Sequence, residues 1–149
     1  MLPTVLYNRS DRRYEVIHPD TGEIVEFPAG RDGRQAAFQM AVALENGTLY
    51  ELAASKIADA PMLATRVWRA CELVIMEQVT LLEPGEMPPA VATVESSNEY
   101  GEYIVSRMHD QWVCECDDWR GGMCPADESG PRCKHSLAAE LAQVLQLLQ

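Results

Sequence analysis

Four of the five cysteines and one of the three histidines fall in a single stretch, CECDDWRGGMCPADESGPRCKH, which runs from Cys114 to His135. Thiols and imidazole gathered this closely can form disulfides, build a reactive centre or hold a metal. The spacing favours a metal. Cys114 and Cys116 are separated by one residue, as are Cys133 and His135, and sixteen residues lie between the pairs. On an extended strand, residues i and i+2 point to the same side, so both sulfurs of the first pair can face one ion. The second pair stands where a helical pattern begins, with Cys133 just before the first turn and His135 just inside it. The positive potential of a helix start favours thiolate there. Three thiolates and a neutral imidazole fill a tetrahedral Zn²⁺ site and leave it at about −1. A second assignment stays open: Cys124, inside the loop, would complete a four-cysteine set and release His135.

The competing chemistries fit less well. The opening residues, MLPTVLYNRSDRRYEV, lack the pattern of a secretory signal, which predicts a cytoplasmic protein (nuclear if the host is eukaryotic) with reduced thiols. Five is also an odd number for a disulfide framework. A catalytic zinc keeps one position open for water or substrate, whereas a full ligand set is available here. The deaminase pattern is missing: Asp110 and Gln111 follow His109, and Cys124-Pro125 has the order reversed. No phosphate-binding loop and no G-x-S-x-G elbow occurs. Asp117, Asp118, Asp127 and Glu128 read as solvated loop charges, and His18 and His109 as solvent-facing polar residues in turns. The chain is expected not to be an enzyme.

The elements that must position the cluster can be read from periodicity. EYIVSRMHDQWVCEC predicts a hairpin, with strands Tyr100–Arg107 and Gln111–Cys116 and a turn near His109-Asp110. CKHSLAAELAQVLQLLQ predicts a helix with Leu137, Leu141, Val144, Leu145 and Leu148 as its apolar stripe. Upstream, YEVI and EIVEF flank the turn cluster HPDTG and predict another hairpin, with TVLYN as a further strand. A helix follows, with Asp32 as N-cap, Gly47 just past its end, and Ala37, Met40, Ala41 and Leu44 on one face. A second helix covers about 49–58. A third runs from Pro61 to about Leu82 and carries Cys71 on its apolar face as a small buried hydrophobe. The proline-rich EPGEMPPA (83–90) reads as a linker. The expected organisation is therefore α+β, with a hairpin-plus-helices domain over 1–88 and a ββα zinc module over 89–149.

The pattern CxC, a variable gap, then CxH on a strand-strand-helix layout resembles the SWIM-type zinc finger. CKHSLAAEL is similar to that family's usual ending, and Trp119 stands where the family often has an aromatic residue. The resemblance covers about residues 90–149. This chain departs from the pattern at Pro131, one residue early, at Ser136, where an apolar residue is common, and at Cys124-Pro125 in the gap. The resemblance implies a zinc-stabilised module that binds protein or DNA and carries no activity of its own.

Charge separates those two partners. The net charge is −11: −2 over residues 1–48, −3 over 49–94 and −6 over 95–149. A phosphate backbone needs a positive face. The basic residues beside the cluster, Arg107, Arg120, Arg132 and Lys134, are the candidate contacts for nucleic acid or another partner. Arg12, Arg13, Arg31 and Arg34 make the only basic concentration along the chain; it could touch phosphate or an acidic partner, but reads most simply as a solubilising surface. The expected function is an adaptor that binds a protein or a protein–nucleic-acid assembly; the alternative is direct DNA binding through the zinc module.

Overall fold

The N-terminal strands form because β-branched and aromatic residues alternate between turn signals. In the computed structural model, which describes residues 4–95 and 101–149, strands β1 (Thr4–Asn8), β2 (Arg13–Ile17) and β3 (Ile24–Pro28) make an antiparallel sheet in that order. The β2–β3 turn is closed by His18, whose Nδ1 accepts the amides of Asp20 and Thr21 at 3.1 and 3.2 Å. His18 is thus a half-buried turn cap rather than a solvent-facing residue.

Helix α1 (Arg31–Glu45) packs against all three strands. Its N-cap is Gly30, not Asp32, and no side chain caps it. Gly33 faces the sheet so closely that a Cβ there would lie 1.6 Å from the Pro28 carbonyl oxygen. Ala37, Ala41 and Val42 are buried behind it, over Val16. Asn46 ends α1 and starts α2 (Gly47–Asp59), its Oδ1 accepting the Leu49 amide at 3.0 Å.

The chain divides into compact units at residues 1–52 and 53–149. The division expected at residue 88 falls elsewhere because the proline-rich segment joins two paired strands of one sheet. In the second unit a 3-10 turn (Pro61–Leu63) leads into α3 (Ala64–Ile75), which buries Val67, Trp68, Ala70, Cys71 and Leu73. Burial pushes the Cys71 thiol up to about 12, as befits an apolar filler. α3 does not run to Leu82. Glu77 turns the chain into the left-handed region at φ 58°, and β4 (Val79–Leu81) follows.

Strands β4, β5 (Ala90–Glu95), β6 (Glu102–Met108) and β7 (Gln111–Cys114) form an antiparallel sheet in that order. The β6–β7 turn is the expected one: His109 and Asp110 have φ of 52° and 63°, which suits a tight hairpin. Tyr100, expected to open β6, lies outside the described residues. Beyond β7 come a short helix, α4 (Asp117–Arg120), a small ribbon, β8 (Ala126–Asp127) with β9 (Gly130–Pro131), and then α5 (Lys134–Leu147).

α5 lies across all four strands and packs also on α3, which is why Leu137, Ala138, Ala139 and Leu141 are buried. Leu148, expected on its stripe, is instead exposed beyond the last turn. The fold is α+β, with the strand-strand-helix order set inside a larger sheet. No helix among the described residues is long and apolar enough to cross a membrane.

Candidate metal centre

Three turns of chain bring the four donors together. Cys114 is the last residue of β7 and points to the buried side of the sheet, opposite Val105. Cys116 is the N-cap of α4, and its Sγ accepts the Trp119 amide at 3.4 Å. Cys133 is the N-cap of α5, and its Sγ accepts the Ser136 amide at 3.4 Å. Two sulfurs therefore end short loops in the same way, each facing amides that favour negative charge. His135 occupies the first turn of α5, with its ring 4.8 Å from that of Tyr103.

The ligand atoms of Cys114, Cys116, Cys133 and His135 all lie within 4.8 Å of one another, and all four residues are buried. A tetrahedral ion with sulfur bonds of about 2.3 Å sets its ligands roughly 3.8 Å apart, so the group has the right size. Cys124 is half-buried and not part of this group.

Two further observations test the fit. Both ring nitrogens of His135 are buried and, among the described residues, have no hydrogen-bond partner, which a metal bond to one of them would relieve. The thiols also behave as a set that lacks positive charge. Hydrogen bonds from Cys114 and Cys116 hold the Cys133 thiol far below the ordinary thiol range. Cys114 is driven far above it by its bonds to Cys116 and Cys133 and by burial. At Cys116, the Cys114 bond favours the thiolate, but Cys133 and burial outweigh it and raise the value. A divalent cation would let all three ionise. The residues present fit such an ion.

The surroundings hold both loops. Arg66 on α3 grips Asp118 on α4 with two hydrogen bonds of 3.0 Å, through Nε and Nη2. This bond holds the Asp118 carboxyl below its usual range, against the opposing effect of burial. Cys124, pushed up to about 12 by burial and then by Asp118, sits beside this fork.

On the other side, Arg132 is wholly buried between the loop and α5. It donates to Asp127 Oδ2 at 2.7 Å, Glu140 Oε2 at 2.8 Å and Ser136 Oγ at 3.3 Å, and lies 5.3 Å from the Trp112 ring. Lys56 adds bonds to the same two carboxylates at 2.8 and 3.1 Å. Ser136 Oγ donates in turn to the Cys133 carbonyl at 3.1 Å. That bonding explains a serine where the resemblance led us to expect an apolar residue.

Several sequence-based expectations change here. Arg132 cannot contact a nucleic acid or partner, because its guanidinium is used internally. Asp118 and Asp127 are ion-paired rather than solvated; the Asp127 side chain is only 9% exposed. Asp117 and Glu128 are exposed, as expected. Arg120 is exposed and Lys134 half-exposed. In the first unit, Arg13 pairs with Glu26, and Arg34 lies 4.5 Å over the Phe38 ring. One readable signal for the Arg132 network was the spacing of Ser136 and Glu140 at i and i+4, which places those two on one face of α5.

Comparison of the chain with protein-family models, curated proteins and solved structures finds no match in any of the three.

Proposed function

We propose that this chain is a non-enzymatic, zinc-dependent adaptor whose C-terminal unit recognises a protein, alone or within a protein–nucleic-acid assembly. The observation that carries the reading is the closed donor set: Cys114, Cys116, Cys133 and His135 converge from one buried region. Four such ligands suit a structural Zn²⁺ and leave no position for substrate. Bound there, zinc would tie the end of β7 to the start of α5 and contribute folding energy. The likeness of CxC and CxH to the SWIM pattern supports the same assignment.

The choice of a protein partner rests on charge. Three cations of the second unit, Lys56, Arg66 and Arg132, are spent on the carboxylates of Asp118, Asp127 and Glu140. Neutralising them internally leaves an acidic exterior, and duplex DNA is bound mainly by cations that release its counterions.

Metal analysis of protein purified under reducing conditions tests the zinc reading; the expected result is one zinc per chain. A folded, metal-free protein would sink it. A gel shift with random duplex at several salt concentrations tests the partner class. Weak, salt-insensitive retardation is expected. Tight binding that falls steeply with salt would favour the DNA-binding alternative.

A further inference from the structure

A β-sheet edge presents unpaired backbone donors and acceptors, and proteins commonly blunt such edges with short strands, charge, proline or a covering loop. The two larger sheets here have four edges, and three are blunted. β4 is only three residues long. β7 is covered where the Trp112 amide donates to the Ser129 carbonyl at 3.3 Å, beside β9. β3 carries Glu26 and ends in Pro28.

β1 has none of these devices. Thr4–Asn8 contains no charge and no proline, and its register with β2 is unbroken. Among the described residues, no other segment hydrogen-bonds to its backbone on the side away from β2. Leu6 and Tyr7 on it are 48% and 46% exposed.

The sequence of this edge is complementary to itself. An antiparallel pair centred on Leu6 sets Leu6 against its own copy, Val5 against Tyr7, and Thr4 against Asn8. The first match is apolar on apolar. The second joins a β-branched and an aromatic residue, a favourable cross-strand pair. No like charges meet along the five residues. A two-fold axis through the centre makes the contact closed, so pairing stops at two copies.

We infer that the open edge of β1 is a homodimer interface, through which two copies join their three-stranded sheets into one six-stranded sheet. This goes beyond the adaptor reading and is independent of the metal. It would give the assembly two C-terminal units, and so two-point attachment to a partner.

Sedimentation of the full chain over a roughly hundredfold range of concentration tests the proposal, because a dimer in exchange shifts with mass action. The expected result is a monomer–dimer equilibrium, and a Leu6→Lys variant that stays monomeric with its zinc content unchanged. That lysine would face its own copy across the axis.

A second pair of variants does not depend on that substitution. Leu6→Cys should yield a covalent dimer with oxidised glutathione. Ile24→Cys, comparably exposed on β3, should not, because the two copies of β3 would stand five strand spacings apart, roughly 24 Å. A parent protein that is monomeric throughout, a Leu6→Lys protein that still dimerises, or equal cross-linking by the two cysteine variants would each overturn the inference. None of these results would bear on the zinc.

Discussion

Arg132 donates to the Asp127 carboxylate at 2.7 Å from a position with no solvent exposure at all. The pair belongs to a four-membered network, two cations and two carboxylates, with Lys56 and Glu140 as the other members. It ties the β8–β9 ribbon to α5 immediately beside Cys133. Burying charge is costly, so such a network holds only when every member is paired.

Removing one member should therefore be severe. Arg132→Ala would leave Asp127 and Glu140 sharing Lys56 alone, at a cost of about 3 kcal/mol or more. Arg132→Lys should recover little, because an ammonium cannot fork between two carboxylates and Ser136 as a guanidinium does. Urea unfolding with excess zinc measures both. A cost within the range of ordinary surface substitutions would show that the network contributes little.

Asp127 also sets a pH dependence. Burial raises its pKa, but the Lys56 hydrogen bond, the Ser129 amide and Arg132 outweigh it, and the value falls below the usual 3.8. A depressed folded-state pKa gives stability that is fully present above the unfolded value and lost as pH falls through the folded one. The stability difference between the parent and Asp127→Asn should therefore stay flat from neutral pH down to about pH 5. It should shrink only as pH falls below about 5, toward and through the folded value. A difference that already declines between pH 7 and 6 would mean that the carboxyl is not held down.

The ligand assignment makes a separable set of outcomes. Cys114→Ser, Cys116→Ser, Cys133→Ser and His135→Ala should each lose zinc and the cooperative fold of residues 53–149. Comparable sites supply on the order of 10 kcal/mol, as much as a whole domain's stability. Cys124→Ser should keep zinc, since Cys124 stands outside the cluster. Cys71→Ala should keep it too, at a cost of about 1 kcal/mol from a small cavity. Metal content and circular dichroism read all six. Zinc lost from Cys124→Ser but kept by His135→Ala would select the four-cysteine arrangement.

Most of the site was legible before the fold. The one-residue spacing within each pair is a local property; the strand expected to reach Cys116 ends at Cys114, but Cys116 keeps an extended backbone before capping α4, and the two sulfurs still converge. Cys71, the β6–β7 turn and the helical start at Cys133 follow from equally local patterns. What stayed hidden is long-range. Nothing near Asp118 in sequence announces Arg66, fifty-two residues away, and nothing near Asp127 announces Lys56. A lone charge in a polar loop looks solvated until the fold supplies its partner. The boundary at 88 failed for a related reason. Prolines mark a place where the chain leaves regular structure, but they do not say whether it returns to the same sheet, as β5 does beside β4.

The end of α3 was misread because Val79 and Leu82 continue the helical apolar spacing, and no glycine or proline interrupts it before Pro84. The structure stops the helix with hydrogen bonds instead. The Glu77 amide donates to the Val74 carbonyl at 3.1 Å, and the Gln78 amide donates to the Leu73 carbonyl at 3.0 Å. This is the pattern of a Schellman cap, in which the residue taking the left-handed conformation is usually glycine. Here it is Glu77, whose Cβ makes φ of 58° costly by roughly 1–2 kcal/mol. The side chain is exposed, so little packing is lost by removing it. Glu77→Gly should therefore relieve the strain. Against this stands the greater freedom of glycine in the unfolded chain, which takes back about 0.5–1 kcal/mol. The net expectation is a gain of roughly 0.5–1 kcal/mol in the stability of residues 53–149, with zinc content and oligomeric state unchanged. Glu77→Ala, which keeps the Cβ, should show none of the gain. Denaturant unfolding of the two variants beside the parent measures this. A loss of stability in Glu77→Gly would mean that the helix end is held by the glutamate side chain and not by the cap.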